Sequence, residues 1–181
     1  MERYKLVFTG SGGQGVITAA IILAETAALY ENLNATQTQV YGPEARGGAT
    51  RADVIISDVL IHYPKVTRPD ILVCLTQEAY DKFSPVISPG GLLLTDSRFV
   101  KPRTKVDARQ VQFPMYSTIM EKIGKAIVFN ICMLGVVIGL TSLLKPESVM
   151  KSLKTRIPPS FLDINKQALD IGIELGIKEK R

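Results

Sequence analysis

Gly10-Ser11-Gly12-Gly13-Gln14-Gly15-Val16 (GSGGQGV) follows the apolar run Lys5-Leu6-Val7-Phe8 and opens a long apolar stretch ending near Tyr30. The run reads as a short buried strand, and Gln14 to Tyr30 as a helix that is apolar almost all round, so the glycines turn strand into helix. Gly10, Gly12 and Gly15 satisfy the spacing G-x-G-x-x-G, which lets backbone amides and the positive end of a helix approach an anion. The same glycines also serve a tight turn with close packing of helix on strand. Both readings are open from the residues alone.

Missing residues narrow the choice of ligand. A Walker loop needs a lysine after its last glycine, where this chain continues Val16-Ile17. A nicotinamide dinucleotide needs an acid about 20 positions on, at the end of the second strand, to bind the ribose. That strand ends Gln37-Thr38-Gln39-Val40-Tyr41, and Glu31 falls before it. Gln14 then stands out, because a neutral amide both donates to a ligand and ties down a loop. A stand-alone nucleotide- or NAD-binding module is the alternative these residues leave.

Outward from the loop, Asn34 to Tyr41, Ala52 to Ser57, Asp70 to Thr76 and Gly91 to Thr95 read as further strands, with Val106 to Phe113 at an edge. A short helix begins near Glu78, which is placed to cap it, and Asp96 ends its strand. Met115 to Gly124 and the apolar run within Lys125 to Leu144 are helical, and Pro146 suits the first turn of another helix. Ser160 with Asp163 after Pro158-Pro159 makes a capping-box-like start for a closing helix with the stripe Ile164, Ala168, Ile171, Leu175. The pattern predicts an α/β fold, a Rossmann-like, doubly wound, mostly parallel sheet with a helical C-terminal third, in one domain over residues 1–181.

Residues 126–144 approach the length of a membrane span, but Asn130, Thr141 and Ser142 interrupt them, and they follow strands of soluble type. A buried helix is expected instead, with Gly135 and Gly139 giving it a smooth side for close packing. The start of the chain shows no secretory pattern, so the cytoplasm is the expected location. Charge is uneven: residues 1–100 hold 8 Lys+Arg against 10 Asp+Glu, and residues 101–181 hold 14 against 7. The basic groups are scattered without an aromatic or RNA-binding signature, so no nucleic-acid partner is expected.

Cys74 and Cys132 lie far apart with no C-x-x-C, which argues against a disulfide framework and a cysteine-ligated cluster. His62 is the only histidine, so a Ser-His-Asp triad would hang on one residue that reads as a surface or edge position. No catalytic and no metal-ligating residue is therefore expected on this chain.

The second dense motif is Tyr41-Gly42-Pro43-Glu44-Ala45-Arg46-Gly47-Gly48. Glu44 and Arg46 make either a solvent-exposed ion pair of little worth or, with Tyr41, a site in which Arg46 offers a fork to an anion and Tyr41 a ring. Asn130 inside the apolar run reads as a hydrogen-bonded core or interface group before a ligand contact.

GSGGQGV, YGPEARGGATRADVIISD and PDILVCLTQEAYDKF, followed by the Asn-containing NICMLGVVIGL, together resemble the gamma subunit of 2-oxoacid:ferredoxin oxidoreductases, closest to the 2-oxoglutarate type. The resemblance covers nearly the whole chain. It implies a non-catalytic subunit beside alpha, beta and ferredoxin-like subunits, with thiamine diphosphate held by alpha and beta and iron-sulfur clusters on beta and the ferredoxin-like chain. It implies no cofactor held by this chain alone. Coenzyme A is the expected ligand of Gly10, Ser11, Gly12, Gly13, Gln14 and Gly15, with Tyr41, Glu44, Arg46 and Gly47 as a second wall and Asn130 nearby. Arg46 then either neutralises ligand charge or fixes the loop against a partner. Pyruvate, branched-chain and indolepyruvate versions share the fold and stand as alternatives.

Overall fold

The computed structural model describes residues 3–39, 49–103 and 105–180. Six strands make one sheet: β1 (Tyr4–Gly10), β2 (Asn34–Gln39), β3 (Thr50–Ser57), β4 (Ile71–Cys74), β5 (Gly91–Asp96) and β6 (Ala108–Phe113). Their order is β2-β3-β1-β4-β5-β6. β1, β4, β5 and β6 pair in parallel, whereas β3 runs antiparallel to both β1 and β2. The sheet is mostly parallel, as the sequence predicts. The added detail is that β3 inserts between β1 and β2, so the crossover from β1 to β2 skips a strand.

Helices cover both faces. α1 (Val16–Tyr30), α3 (Met115–Lys122), α4 (Phe129–Thr141), α5 (Pro146–Arg156) and α6 (Pro159–Lys180) gather on one face, and α2 (Gln77–Phe83) on the other. Alternation along β1 sorts the cores. Leu6 and Phe8 join the cluster containing α1 and α4, while Val7 joins Leu72, Leu93, Tyr80 and Phe83 on the opposite face. With layers on both sides, β4 is buried along its whole length, which explains its uninterrupted ILVC sequence.

α1 is apolar nearly all round because it lies between sheet and helices. Thr26 Oγ1 donates to Ile22 O (2.7 Å) and is hydrogen-bonded to the Ser152 hydroxyl of α5 (2.8 Å), and Glu25 pairs with Arg156 at the rim of the same seam. α4 is the innermost helix, with every residue from Phe129 to Leu140 buried. A 3-10 turn, Ala126–Val128, precedes it, so the apolar run is broken into two pieces rather than one long helix. No helix among the described residues is long and apolar enough to cross a membrane.

α4 and α6 touch through backbone. A methyl group added at Gly135 would strike Leu169 O, one at Gly139 would strike Ile173 O, and one at Gly172 would strike Cys132 O. At Gly176 it would stand 2.5 Å from Val136 O. The seam moves the expected stripe on α6. Its most buried positions are Asn165, Ala168, Leu169, Gly172 and Gly176, and Ile164, Ile171 and Leu175 flank them half-buried. Small residues take the centre because only they admit a helix this close.

Two cap assignments are corrected. α6 begins at Pro159, so Ser160 lies inside the first turn instead of capping it; proline suits that first position because it has no N–H to leave unpaired. At α2, Thr76 is the cap: its Oγ1 accepts from Ala79 N (3.2 Å), and Glu78 sits within the first turn, where its charge complements the helix end.

Candidate functional site

The glycine loop occupies a topological switch point. From β1 the chain crosses by α1 toward β2, and from β4 it crosses by α2 on the opposite face toward β5. The connections leaving the carboxyl ends of β1 and β4 therefore part to opposite faces, which is where open α/β sheets bind ligands. Leu75 N donates to Thr9 O (2.9 Å) and holds the two ends side by side.

Each glycine of the loop answers a different demand. Gln14 folds back over the turn: its Oε1 accepts from Ser11 N (2.8 Å), and its Nε2 donates to Leu75 O (3.4 Å). A side chain at Gly10 would strike Gln14 Oε1 and stand 3.2 Å from Leu75 Cβ. Gly15 caps α1 with φ +72°, and a Cβ there would lie 2.6 Å from Asn130 Nδ2. Gly13 has φ +88°. Gly12 alone has neither excuse: its φ is not positive, and among the described residues a Cβ would meet nothing within 4 Å.

Among the described residues no side chain caps α1, and Ala19 N donates to Gly15 O (3.0 Å) at its start. The leading N–H groups and the positive helix end thus face the loop, a setting for an anion. Asn130 supports the loop from α4 by donating from Nδ2 to Gly15 O (3.3 Å), and it is only 9% exposed.

A hollow opens on each side of the loop. One, about 280 Å³, is lined by Ser11, Gly12, Gly13, Gly15, Val16, Ile17, Thr18 and Thr50. The other, about 390 Å³, lies between the loop and the α5–α6 turn and includes Asn130, Asn165 and Phe161.

Other polar groups near this edge of the sheet are structural. Asp96 is fully buried at the end of β5, and burial pushes its carboxyl up, opposed by the backbone N–H groups that bind it; Tyr116 N (2.8 Å) and Arg98 N (2.9 Å) donate to it. Cys74 and Cys132 are both buried, and burial pushes each thiol up to about 12, so neither offers a thiolate near neutrality. His62 is exposed beyond the end of β3, where Arg3 Nη2 holds the neighbouring Tyr63 O at 2.5 Å, on the edge of the sheet opposite the glycine loop. Among the described residues no group of three or more His, Cys, Asp or Glu could hold a metal ion.

Residues 5–175 match the family described as Pyruvate ferredoxin/flavodoxin oxidoreductase. The chain belongs to that family. The 2-oxoglutarate synthase subunit KorC of Methanocaldococcus jannaschii is 43% identical over 176 residues, covering 96% of this chain and 94% of the relative. The keto/oxoacid ferredoxin oxidoreductase gamma subunit of Geobacter sulfurreducens is similar in structure with a TM-score of 0.88 at 39% identity, covering 97% of this chain and 99% of that one. The protein is a gamma subunit of a 2-oxoacid:ferredoxin oxidoreductase, one chain of a multi-subunit enzyme. The fold recurs, at TM-score 0.86 and 20% identity, in the 2-oxoglutarate:ferredoxin oxidoreductase of Magnetococcus marinus with 2-oxoglutarate, coenzyme A and succinyl-CoA bound; the match covers 98% of this chain and 32% of that one.

In this gamma subunit Gly10, Ser11, Gly12, Gly13, Gln14 and Gly15 come together with Asn130 at the switch point. Tyr41, Glu44, Arg46 and Gly47 lie outside the described residues. Sequence reasoning missed Thr18, Thr50, Ile127, Ile157, Phe161 and Asn165, which line the hollows. Asn165 carried a signal, as an amide one position from the apolar stripe of α6; the other five are of types too common in cores and surfaces to stand out.

Proposed function

We propose that this gamma subunit serves an enzyme acting on 2-oxoglutarate and that its glycine loop receives a phosphate of coenzyme A. The complex decarboxylates the 2-oxoacid, passes two electrons to ferredoxin and transfers the acyl group to the thiol of coenzyme A. Thiamine diphosphate and the iron-sulfur clusters, held by the alpha, beta and ferredoxin-like subunits, supply the carbanion and electron-transfer chemistry. The role of this chain is to bind and orient: backbone N–H groups at Gly12 to Gly15 meet phosphate oxygens.

The observation that carries this reading is Gly12. Among the described residues, packing and backbone geometry account for Gly10, Gly13 and Gly15 but demand no glycine at Gly12, whereas a ligand lying against the backbone would. The identity with a 2-oxoglutarate synthase subunit and the coenzyme A in the Magnetococcus structure support the choice of substrate and ligand.

The dinucleotide reading loses ground on topology as well as on the missing acid. With β3 inserted, β2 stands two strands from β1, roughly 10 Å away, too far to share a ribose with the loop in the Rossmann manner. NAD(P)H added to the complex should show no fluorescence change on this chain.

The test is coenzyme A saturation in the reconstituted complex with wild-type and Gly12→Val chains. The variant is expected to raise the KM for coenzyme A about tenfold, the equivalent of about 1.4 kcal/mol, while the complex still assembles by gel filtration. An unchanged KM in an intact complex would end the ligand role.

A further inference from the structure

β5 and β6 pair in parallel, and the chain returns from the carboxyl end of one to the amino end of the other without a helix among the described residues. An extended strap covers the α2 face instead, with Val100 buried and Phe99 and Val106 packed half-buried against the core. Its backbone is pinned. Lys101 N donates to Gln77 Oε1 at the start of α2 (2.8 Å), Gln112 Nε2 of β6 donates to Val100 O (2.8 Å), and Gly90 N donates to Asp107 O (2.7 Å). The strap thus runs the height of a strand, roughly 17–20 Å.

The exposed side of this strap is almost purely cationic. Arg98, Lys101, Arg103 and Lys105 are exposed on it, against the acid Asp107. Arg68, also exposed, joins Lys105 and Asp107 around a hollow of about 350 Å³ where the strap reaches the start of β6. Among the described residues none of these five cations enters an ion pair; Arg98 lies over the ring of Tyr116 at 5.2 Å. Elsewhere the basic groups do find acids, as Lys5 does in Asp70, Arg51 in Asp53 and Arg109 in Glu179. Uncompensated like charges held on one fixed backbone cost self-repulsion and create a field that draws in an anionic surface.

The composition of the strap says which kind of surface. Permanent subunit interfaces have an apolar centre and few lysines, whereas small electron-transfer contacts are steered by charge. No large apolar side chain between residues 97 and 107 is exposed, so the strap lacks the anchor of a permanent interface. It also lacks an exposed aromatic ring on which a nucleic-acid base could stack, since Phe99 packs inward. The enzyme to which this chain belongs hands its electrons to a ferredoxin. We infer that the strap is a docking strip for a carboxylate-rich protein met in passing, the ferredoxin that the complex reduces. The strip steers capture of the carrier and takes no part in electron transfer itself. It lies on the α2 face, away from α4 and α6, so the inference is independent of the coenzyme A reading.

Ferredoxin saturation in the assembled complex tests it. The triple variant Lys101→Glu, Arg103→Glu, Lys105→Glu is expected to raise the KM for ferredoxin about tenfold at low ionic strength. The variant and wild type should converge at about 0.5 M salt, where exposed charges are screened within a few ångströms. Turnover with methyl viologen, a small dye that needs no docking strip, should not change. The milder Arg103→Gln, Lys105→Gln pair should raise the ferredoxin KM by a smaller factor, and Lys101→Arg with Lys105→Arg should keep the wild-type value. An unchanged ferredoxin KM in intact complexes of both the reversed and the neutralised variants overturns the inference. So does a rise in KM that salt does not remove. If both variants fail to assemble on gel filtration, the strap is a subunit contact and the inference is overturned. If they keep the ferredoxin KM but lose binding of a short DNA duplex that the wild-type complex retains, the partner is nucleic acid and the inference is equally lost.

Discussion

Gly12 and Gly15 stand three residues apart and differ in what an added methyl group would do. At Gly15 it would force an L-residue into the left-handed region, which costs about 1–2 kcal/mol, and would press on Asn130. Gly15→Ala is therefore expected to lower unfolding stability by at least about 1 kcal/mol in urea titration, whereas Gly12→Ala should stay within about 0.5 kcal/mol of wild type. Equal losses at both positions would remove the distinction on which the ligand role depends. Asp96 gives a prediction with a definite sign. Its folded carboxyl lies above its ordinary value because of burial, so its contribution to stability is full below the unfolded pKa of about 3.9 and is lost as pH rises through the folded value. The stability advantage of wild type over Asp96→Asn should accordingly shrink from pH 3 toward pH 7. An advantage that grows with pH would show that the N–H groups of Tyr116 and Arg98 outweigh burial.

Among the elements, α4 and α6 hold the C-terminal third together by close approach of their backbones. Alanine for glycine in an exposed helix adds up to about 1 kcal/mol of stability. In the seam the sign reverses. Gly172→Ala, whose methyl group would run into Cys132 O, is expected to destabilise by about 3 kcal/mol, since backbone cannot yield as a side-chain tip can. Thermal denaturation of the purified chain reads this directly, and a Tm equal to or above wild type would refute the contact. The sequence disclosed half of this seam, because Gly135 and Gly139 stand out in an apolar run. It hid the other half: Gly172 falls between Ile171 and Ile173, and Gly176 between Leu175 and Ile177, while the stripe Ile164, Ala168, Ile171, Leu175 drew the helix face to one side of its true centre. Local periodicity reports where large side chains lie, and the tightest contacts use none.

At the scale of the whole molecule, strand and helix types were legible because each element carries its own pattern of burial. Parallel pairing of β1, β4 and β5 followed from their apolar runs and intervening helices, whereas β6 (ARQVQF) follows β5 with no helix between them among the described residues. The reversal of β3 was not legible, since ADVIIS is buried whichever way it runs. The candidate site was half legible. Glycines announce a turn wherever it folds, but the hollow beside them is assembled from α1, α4 and α6 and the turn before α6, and only packing brings those together. On the proposal that further subunits complete it, a site assembled in this way predicts little affinity in isolation. Calorimetry with coenzyme A should give measurable heat with the assembled complex and almost none with the lone chain, and equal affinities would favour a stand-alone nucleotide-binding module.

The ends of the fold point to a last consequence. β1 starts at Tyr4, and α6 finishes beside the start of β6, where Arg109 Nη2 donates to Glu179 O (2.9 Å). Both lie at the amino ends of the parallel strands, the edge opposite the glycine loop. Covalent joining to another polypeptide at either end thus leaves the glycine-loop edge untouched, and in the Magnetococcus chain this fold makes up about a third of a longer polypeptide.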